Sequence, residues 1–223
     1  MHSSSRPLRP GVIASTLLIA LLQQATAAEL PVTVLQLDGR PLAGAVVIAE
    51  PATPPARPRA PGQATMDQRE LSFVPDVLVI RTGTAVDFPN SDKVRHQVYS
   101  FSGAKTFKLA LYAGRAHPPV TFDKPGVVTL GCNIHDGMIG HIVVTDSPWH
   151  GRTDDKGHIA MTALPEGSYT LRVWHPRIAD AGPELERAVQ LAEGRPDPVT
   201  FRLSRKLKPA LHNHGTNQRW EDY

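Results

Sequence analysis

The chain has 223 residues, of which 41% are hydrophobic and 20% charged, with a single cysteine and a formal net charge of +3. This length suffices for one large or two small domains that each bury a core. The small net positive charge argues against a nucleic-acid surface or a polybasic lipid-binding face, since Arg6 and Arg9 near the N-terminus contribute to it. A single cysteine excludes an intrachain disulfide.

Residues 1–27 have the pattern of a secretory signal peptide. Arg6 and Arg9 precede an apolar run from Val12 to Leu22, and Ala25-Thr26-Ala27 is a small-x-small cleavage sequence. The run is shorter than the roughly 20 apolar residues that a transmembrane helix requires, and no later segment approaches that length. We therefore expect an exported, periplasmic protein without a membrane span. An uncleaved leader that acts as an anchor is the alternative.

After the leader, short segments rich in Val, Ile, Thr and aromatic residues alternate with Gly, Pro, Asp and Asn, which predicts an all-β protein. The proline-rich residues 51–65 predict an extended linker. A break at Ser147-Pro148 closes a central unit, residues 66–147. Residues 205–223 predict a flexible tail. The predicted strands of the central unit include Leu71–Ile80, Val120–Phe122 and Ile139–Thr145.

The segments on either side of the central unit, residues 28–50 and 148–204, predict further strands. The front segment contains VTVLQLDGRPLAGAVVIAE, two strands around a turn, which is too little to bury a sheet face alone. The rear segment contains GRTDDKGHIAMTALPEGSYTLRVW, with two more hairpin turns. Together they resemble the carboxypeptidase regulatory-like, transthyretin-type β-sandwich. The resemblance implies a smaller, discontinuous sandwich that holds or flanks the central unit; two unrelated end segments are the alternative.

The pattern that carries chemistry is GCNIHDGMIGHIVV, in which Cys132, His135 and Met138 have CxxHxxM spacing. A thiolate, an imidazole and a weaker thioether suit copper, and electron-transfer copper sites combine two histidines and a cysteine with a distant axial methionine. His96, which begins a predicted strand upstream, best supplies the second histidine. Zinc also binds cysteine and histidine, but the thioether argues against it.

Over about residues 66–146 these features resemble the cupredoxins, the blue type 1 copper proteins of the amicyanin and plastocyanin type. ELSFVPDVLVIRTGTAVDFPNSD is similar to the opening strands of that family, and the CxxHxxM loop is similar to the short ligand loop of amicyanin. The resemblance implies a Greek-key β-sandwich with one type 1 copper ion. The implied ligands are His96, Cys132, His135 and Met138.

Two further residues bear on this site. Gln97 follows His96 where the family commonly has Asn, so we expect the ligand loop to be held differently, with Asn133 or Ser91 as substitutes. His141 lies in the apolar strand IGHIVVT, and strand alternation puts it on the face opposite Ile142. We interpret His141 as a solvent-side or interface histidine rather than a fifth ligand.

The function that these resemblances imply is that of a non-enzymatic periplasmic carrier of single electrons. The sequence contains no GxSxG, HExxH or phosphate-binding glycine loop. The likeness to amicyanin implies a redox partner such as a cytochrome c or an amine dehydrogenase, with methylamine utilisation as a setting, and we expect a monomer. The alternatives are copper storage, delivery or resistance without electron transfer, and an adhesion module with a vestigial metal site.

Overall fold

The computed structural model describes residues 28–53, 62–135, 137–179, 182–194 and 196–210; the predicted signal peptide and the end of the predicted tail lie outside them. Within these ranges the regular structure is β-strand apart from one short 3-10 helix, Pro183–Leu185, which confirms the predicted all-β class. None of the described helical structure is long and apolar enough to cross a membrane.

The strands, numbered in chain order, have the following bounds: β1 Ala28–Leu35, β2 Val46–Pro51, β3 Gln63–Thr65, β4 Asp67–Arg69, β5 Ser72–Val74, β6 Val77–Arg81, β7 Thr84–Asp87, β8 His96–Ser102, β9 Lys105–Tyr112, β10 Val120–Phe122, β11 Gly126–Gly131, β12 Ile139–Thr145, β13 His150–Arg152, β14 His158–Leu164, β15 Gly167–Trp174, β16 Glu186–Leu191 and β17 Val199–Arg202.

The central unit is a sandwich of two sheets around one apolar core, and it also contains the two-stranded sheet β4-β5. The larger sheet has the order β6-β12-β11-β8-β9, and the smaller has the order β10-β7-β3. Because side chains alternate along a strand, Val98, Val128 and Ile142 of the larger sheet point into the core, where they join Val86 and Phe122 of the smaller sheet. All five are fully buried, and each stabilises the fold by about 1.5–3 kcal/mol relative to exposure.

Strands from both sides of the central unit pair with one another. β1 lies between β14 and β17, and β2 lies between β13 and β15. The two sheets enclose a second core, to which the front segment contributes Val34 and Val47 and the rear segment contributes Leu171 and Phe201. The central unit is thus inserted between strands that share a core.

The two units meet through an apolar contact on the outer face of the larger central sheet. Its buried members are Val46, Ile48, Val77 and Val143. At the edge of this contact, the guanidinium of Arg152 lies 3.1 Å from the Asp76 carboxylate and donates a hydrogen bond to the carbonyl of Val77, at 3.2 Å. Successive residues of β12 therefore pack on opposite sides of the sheet: Ile142 faces the central core, and Val143 faces the second unit.

The structure differs from the sequence-based strand predictions in several places. β10 and β12 have the predicted bounds, but the predicted strand Leu71–Ile80 is divided at Pro75-Asp76 into β5 and β6, because proline has no N–H to donate to a ladder. Five further strands were not predicted: β3, β4, β9, β13 and β14.

The predicted linker, residues 51–65, and the predicted tail also differ at their ends. Pro51 ends β2, and Gln63–Thr65 forms β3, which pairs in parallel with β7; residues 54–61 lie outside the described part. At the start of the tail, the N–H of Lys208 donates to the carbonyl of Arg177 at 2.8 Å, and the Arg177 Nε–H donates back to the Lys208 carbonyl at 2.7 Å. The described part of the tail is therefore attached to the second unit.

Candidate metal centre

Three of the predicted ligands come together at one end of the central sandwich. Cys132 directly follows β11, His135 lies in the loop between β11 and β12, and His96 is the first residue of β8. The Cys132 Sγ atom lies 3.7 Å from the His96 Nδ1 atom and 4.0 Å from the His135 Nδ1 atom. One donor atom from each residue lies within 4.8 Å of the other two.

These separations fit a single metal ion. With metal–sulfur and metal–nitrogen bonds of about 2.3 Å and 2.05 Å, and a trigonal angle at the ion, the sulfur and nitrogen atoms are about 3.8 Å apart. The two observed sulfur–nitrogen distances lie close to that value. The histidine rings meet edge to face with their centroids 5.0 Å apart, so both Nδ1 atoms can face the same point beside the sulfur.

Met138 lies next to this cluster. Its side chain is 1% exposed and belongs to the same buried core as Cys132. Its backbone N–H donates to the carbonyl of His135 at 2.9 Å, which closes the ligand loop into a tight turn. The loop therefore buries the Met138 thioether in the same core as the cysteine.

The sulfur of Cys132 lies in surroundings that favour the thiolate. Burial acts to raise the pKa of Cys132, but hydrogen bonds from the rings of His96 and His135 and from the backbone N–H groups of Gln97 and Ile134 outweigh it and lower the pKa to about 6. Gln97 thus contacts the sulfur through its backbone N–H, so this contact does not depend on the Gln97 side chain. A lowered pKa favours the thiolate, which is the form of cysteine that binds metal.

His96 is held on its far side by a carboxylate that the sequence analysis did not identify. The His96 Nε2 atom lies 2.7 Å from an Asp92 carboxylate oxygen, and the His96 side chain is fully buried. Burial acts to lower the pKa of His96, but the hydrogen bonds to Cys132 and Asp92 raise it. Burial likewise acts to raise the pKa of Asp92, but hydrogen bonds, the one from His96 first, lower it. The only sequence signal is an acid four residues before the histidine.

A buried asparagine orders the loop that carries Asp92. The Asn90 side-chain NH₂ donates to the carbonyls of Val94 and Tyr112, both at 2.9 Å, and its Oδ1 accepts the Asp92 N–H at 2.9 Å. The Ser91 hydroxyl instead donates to the Asp67 carboxylate at 2.9 Å. Asn90 therefore holds the loop that carries Asp92. Ser91, considered with Asn133 as a residue that holds the ligand loop, bonds to Asp67 instead.

His141 lies away from the ligands, on the outer face of β12. Its ring meets the Trp174 ring edge-on, with centroids 5.4 Å apart, and its Nδ1 lies 3.3 Å from the Thr129 hydroxyl. Burial lowers the pKa of His141. The ring therefore belongs to the contact with the second unit. In the described ranges, no group of three His, Cys, Asp or Glu residues other than His96, Cys132 and His135 has metal-binding spacing.

The fold and the cluster together define a class of protein. A β-sandwich that buries one cysteine between two histidines, with a buried methionine at the end of the same loop, has the donor set of the type 1 copper site found in cupredoxins.

No protein-family model and no curated protein matches the chain. Among solved structures, it is similar to a copper-containing nitrite reductase from Thermus scotoductus, at 30% identity over 43% of this chain and 25% of that one, with a TM-score of 0.36. It is also similar to a purple cupredoxin from Nitrosopumilus maritimus, at 22% identity over 38% of this chain and 99% of that one, TM-score 0.33. A reduced amicyanin variant matches at 20% identity over 44% of this chain and 98% of that one, TM-score 0.34. This chain thus spans about a quarter of the nitrite reductase.

Proposed function

We propose that this protein binds one type 1 copper ion and carries single electrons between redox proteins outside the cytoplasm. The proposed ligands are His96, Cys132, His135 and Met138. The observation that carries the proposal is the convergence of a thiolate-favouring cysteine and two histidine Nδ1 atoms within 4.8 Å, at the buried end of a β-sandwich. Copper bound there would supply one-electron redox chemistry at a potential set by its ligands.

The surroundings of the ligands suit electron transfer because they restrict movement. His96 is fixed by its strand and by Asp92, and Cys132, 3% exposed, is fixed by backbone N–H groups. Since Cu(I) and Cu(II) prefer different geometries, ligands that cannot move far reduce the rearrangement that accompanies each electron.

A partner would approach at His135. This residue is half-buried, and its neighbour Ile134 is 49% exposed. A small apolar surface beside the metal suits the brief encounters of electron carriers, which bury little area. We propose a cytochrome c or an amine dehydrogenase as the partner, with methylamine utilisation as a setting, and a monomeric carrier with no enzymatic activity of its own.

We also propose that residues 1–27 direct export to the periplasm, and that residues 28–50 and 148–204 form one carboxypeptidase regulatory-like sandwich around residues 66–147. The pairing of β1 with β14 and β17 supports the second of these proposals. N-terminal sequencing of the periplasmic protein tests the first: we expect the mature chain to begin at Ala28, and a cytoplasmic full-length chain would contradict it.

Visible absorption of the copper-loaded protein tests the proposed function. Intense absorption near 600 nm from the copper–thiolate bond, with a reversible potential, is expected for an electron carrier. Cys132→Ser should abolish the absorption, whereas His141→Gln, which changes a histidine that is not a ligand, should leave it intact. Colourless Cu(I) binding with fast exchange would instead indicate copper delivery, and no copper binding at all would refute both functions.

A further inference from the structure

We propose that Asp92 is a positioning residue for the metal centre: its carboxylate fixes the ring of His96 with Nδ1 toward Cys132 and favours the oxidised metal, which lowers the reduction potential. This inference rests on the proposed function, because the potential is that of copper bound at the site. The juxtaposition that carries it is the contact of one imidazole with the carboxylate on one side and the ligand sulfur on the other.

The geometry assigns a separate task to each ring nitrogen of His96. Nε2 lies 2.7 Å from the Asp92 carboxylate, and Nδ1 lies 3.7 Å from the Cys132 sulfur. A carboxylate oxygen accepts, so Nε2 carries the proton in this contact, and Nδ1 is the nitrogen left to bind metal. The His96 side chain is fully buried and that of Asp92 is 13% exposed, so water competes little for this hydrogen bond.

Asp92 does not depend on His96 for its position. Its two carboxylate oxygens accept the backbone N–H groups of Glu70, at 2.6 Å, and Leu71, at 3.0 Å. Both of these residues lie in the turn between β4 and β5 and have left-handed backbone, with φ of 53° and 56°. This uncommon conformation directs two successive N–H groups at one carboxylate. The fold therefore holds the acceptor in place before any metal binds.

A carboxylate fixed at Nε2 of His96 changes how Nδ1 of the same ring binds metal. A carboxylate that accepts the second N–H of a ligating histidine sets its tautomer and ring orientation and makes it a more basic ligand. A more basic imidazole, with a negative charge close behind it, stabilises Cu(II) more than Cu(I). Loss of such a partner changes metal affinity by about 10–100-fold. A tenfold loss of Cu(II) relative to Cu(I) affinity raises a one-electron potential by about 59 mV.

The test compares Asp92→Asn with Asp67→Asn. Both remove one negative charge from the same region, but the Asp67 carboxylate accepts from the Gln68 N–H and the Ser91 hydroxyl and contacts no predicted ligand. In the copper-loaded full-length protein, we expect Asp92→Asn to raise the potential by about 59 mV or more, for the tenfold change above, and Asp67→Asn to shift it far less. Equal potentials in Asp92→Asn and wild type would overturn the inference.

A second measurement needs no copper. Nitrogen NMR of the copper-free protein should show a proton on His96 Nε2 that is protected from exchange with water in wild type and Asp67→Asn, and that exchanges rapidly in Asp92→Ala, which removes the acceptor. An equally protected Nε2 proton in Asp92→Ala would contradict the positioning role. If wild type failed to bind copper while the Nε2 proton responded as expected, the proposed function would fail and the role of Asp92 in orienting His96 would stand.

Discussion

In the copper-free protein, the thiol of Cys132 should lose its proton near pH 6. The cause is structural: hydrogen bonds from His96, His135 and two backbone N–H groups lower the pKa to about 6 in spite of burial. At pH 7 a group with that pKa is about nine-tenths thiolate, whereas a free cysteine with a pKa of about 8.5 is about 3% thiolate. The Cys132 sulfur should therefore be mostly thiolate, the form that binds metal, throughout the neutral pH range.

The ultraviolet absorbance of the thiolate measures this ionisation directly. The copper-free protein is titrated from about pH 4 to about pH 9, and the same titration of Cys132→Ser, which removes the thiol, is subtracted. Because Cys132 and His96 interact, the midpoint is a property of the pair. His96→Asn, which removes the largest of the stabilising hydrogen bonds, should raise the midpoint.

A midpoint near 8.5 in the wild-type protein, with no change in His96→Asn, would refute this account of the sulfur's surroundings. A midpoint near 6 has a consequence for metal binding. Protons compete with the metal for the sulfur and for the imidazoles, so copper affinity should fall steadily as the pH drops below that midpoint.

Three further predictions concern stability, each measured by chemical unfolding. In Gly131→Ala the new methyl group would lie 2.8 Å from the Tyr99 ring and hydroxyl, so we expect the free energy of unfolding to fall by about 1–3 kcal/mol. Tyr99→Ala in the same chain should partly restore it. An unchanged unfolding midpoint in Gly131→Ala would contradict this prediction. Tyr112→Phe removes the hydroxyl that donates to the buried Phe88 carbonyl at 2.6 Å and should cost about 1–3 kcal/mol; a neutral result would show that water replaces it. Burial lowers the pKa of His175 to about 4, whereas a histidine in the unfolded chain has a pKa near 6.5. As the pH drops, the unfolded chain therefore takes up the proton first. The free energy of unfolding should fall between about pH 6.5 and about pH 4. His175→Gln should make that decline shallower by about 2 kcal/mol, allowing for solvent screening, and an equally steep decline would exclude His175 as its source.

The ligand loop could be predicted from sequence because its information is local. Cys132, His135 and Met138 lie within seven residues, and their types and spacing already point to copper. His96 was selected because it begins a predicted strand upstream, and the family resemblance pointed to the same residue. Asp92 could not be predicted, because its role depends on the turn at Glu70, which is far away in sequence and close only in the folded chain.

The failure to predict strand β9 also has a physical reason. Its inward and outward residues alternate from Lys105 to Leu109, but Ala110 and Leu111 are both exposed, and the pairing with β8 is irregular between His96 and Val98. A bulge of this kind breaks the two-residue period on which strand prediction depends. His141 shows the opposite case: strict alternation in β12 put it on the outer face, where the structure has it against Trp174.

Anomalous diffraction at the copper absorption edge, from crystals of the copper-loaded protein, tests the central assignment most directly. We expect a single copper peak bonded to the Cys132 sulfur and to the Nδ1 atoms of His96 and His135, with the Met138 sulfur at a longer distance. A copper peak bound elsewhere, or one bound through the Nε2 atom of His96, would contradict the metal centre described here.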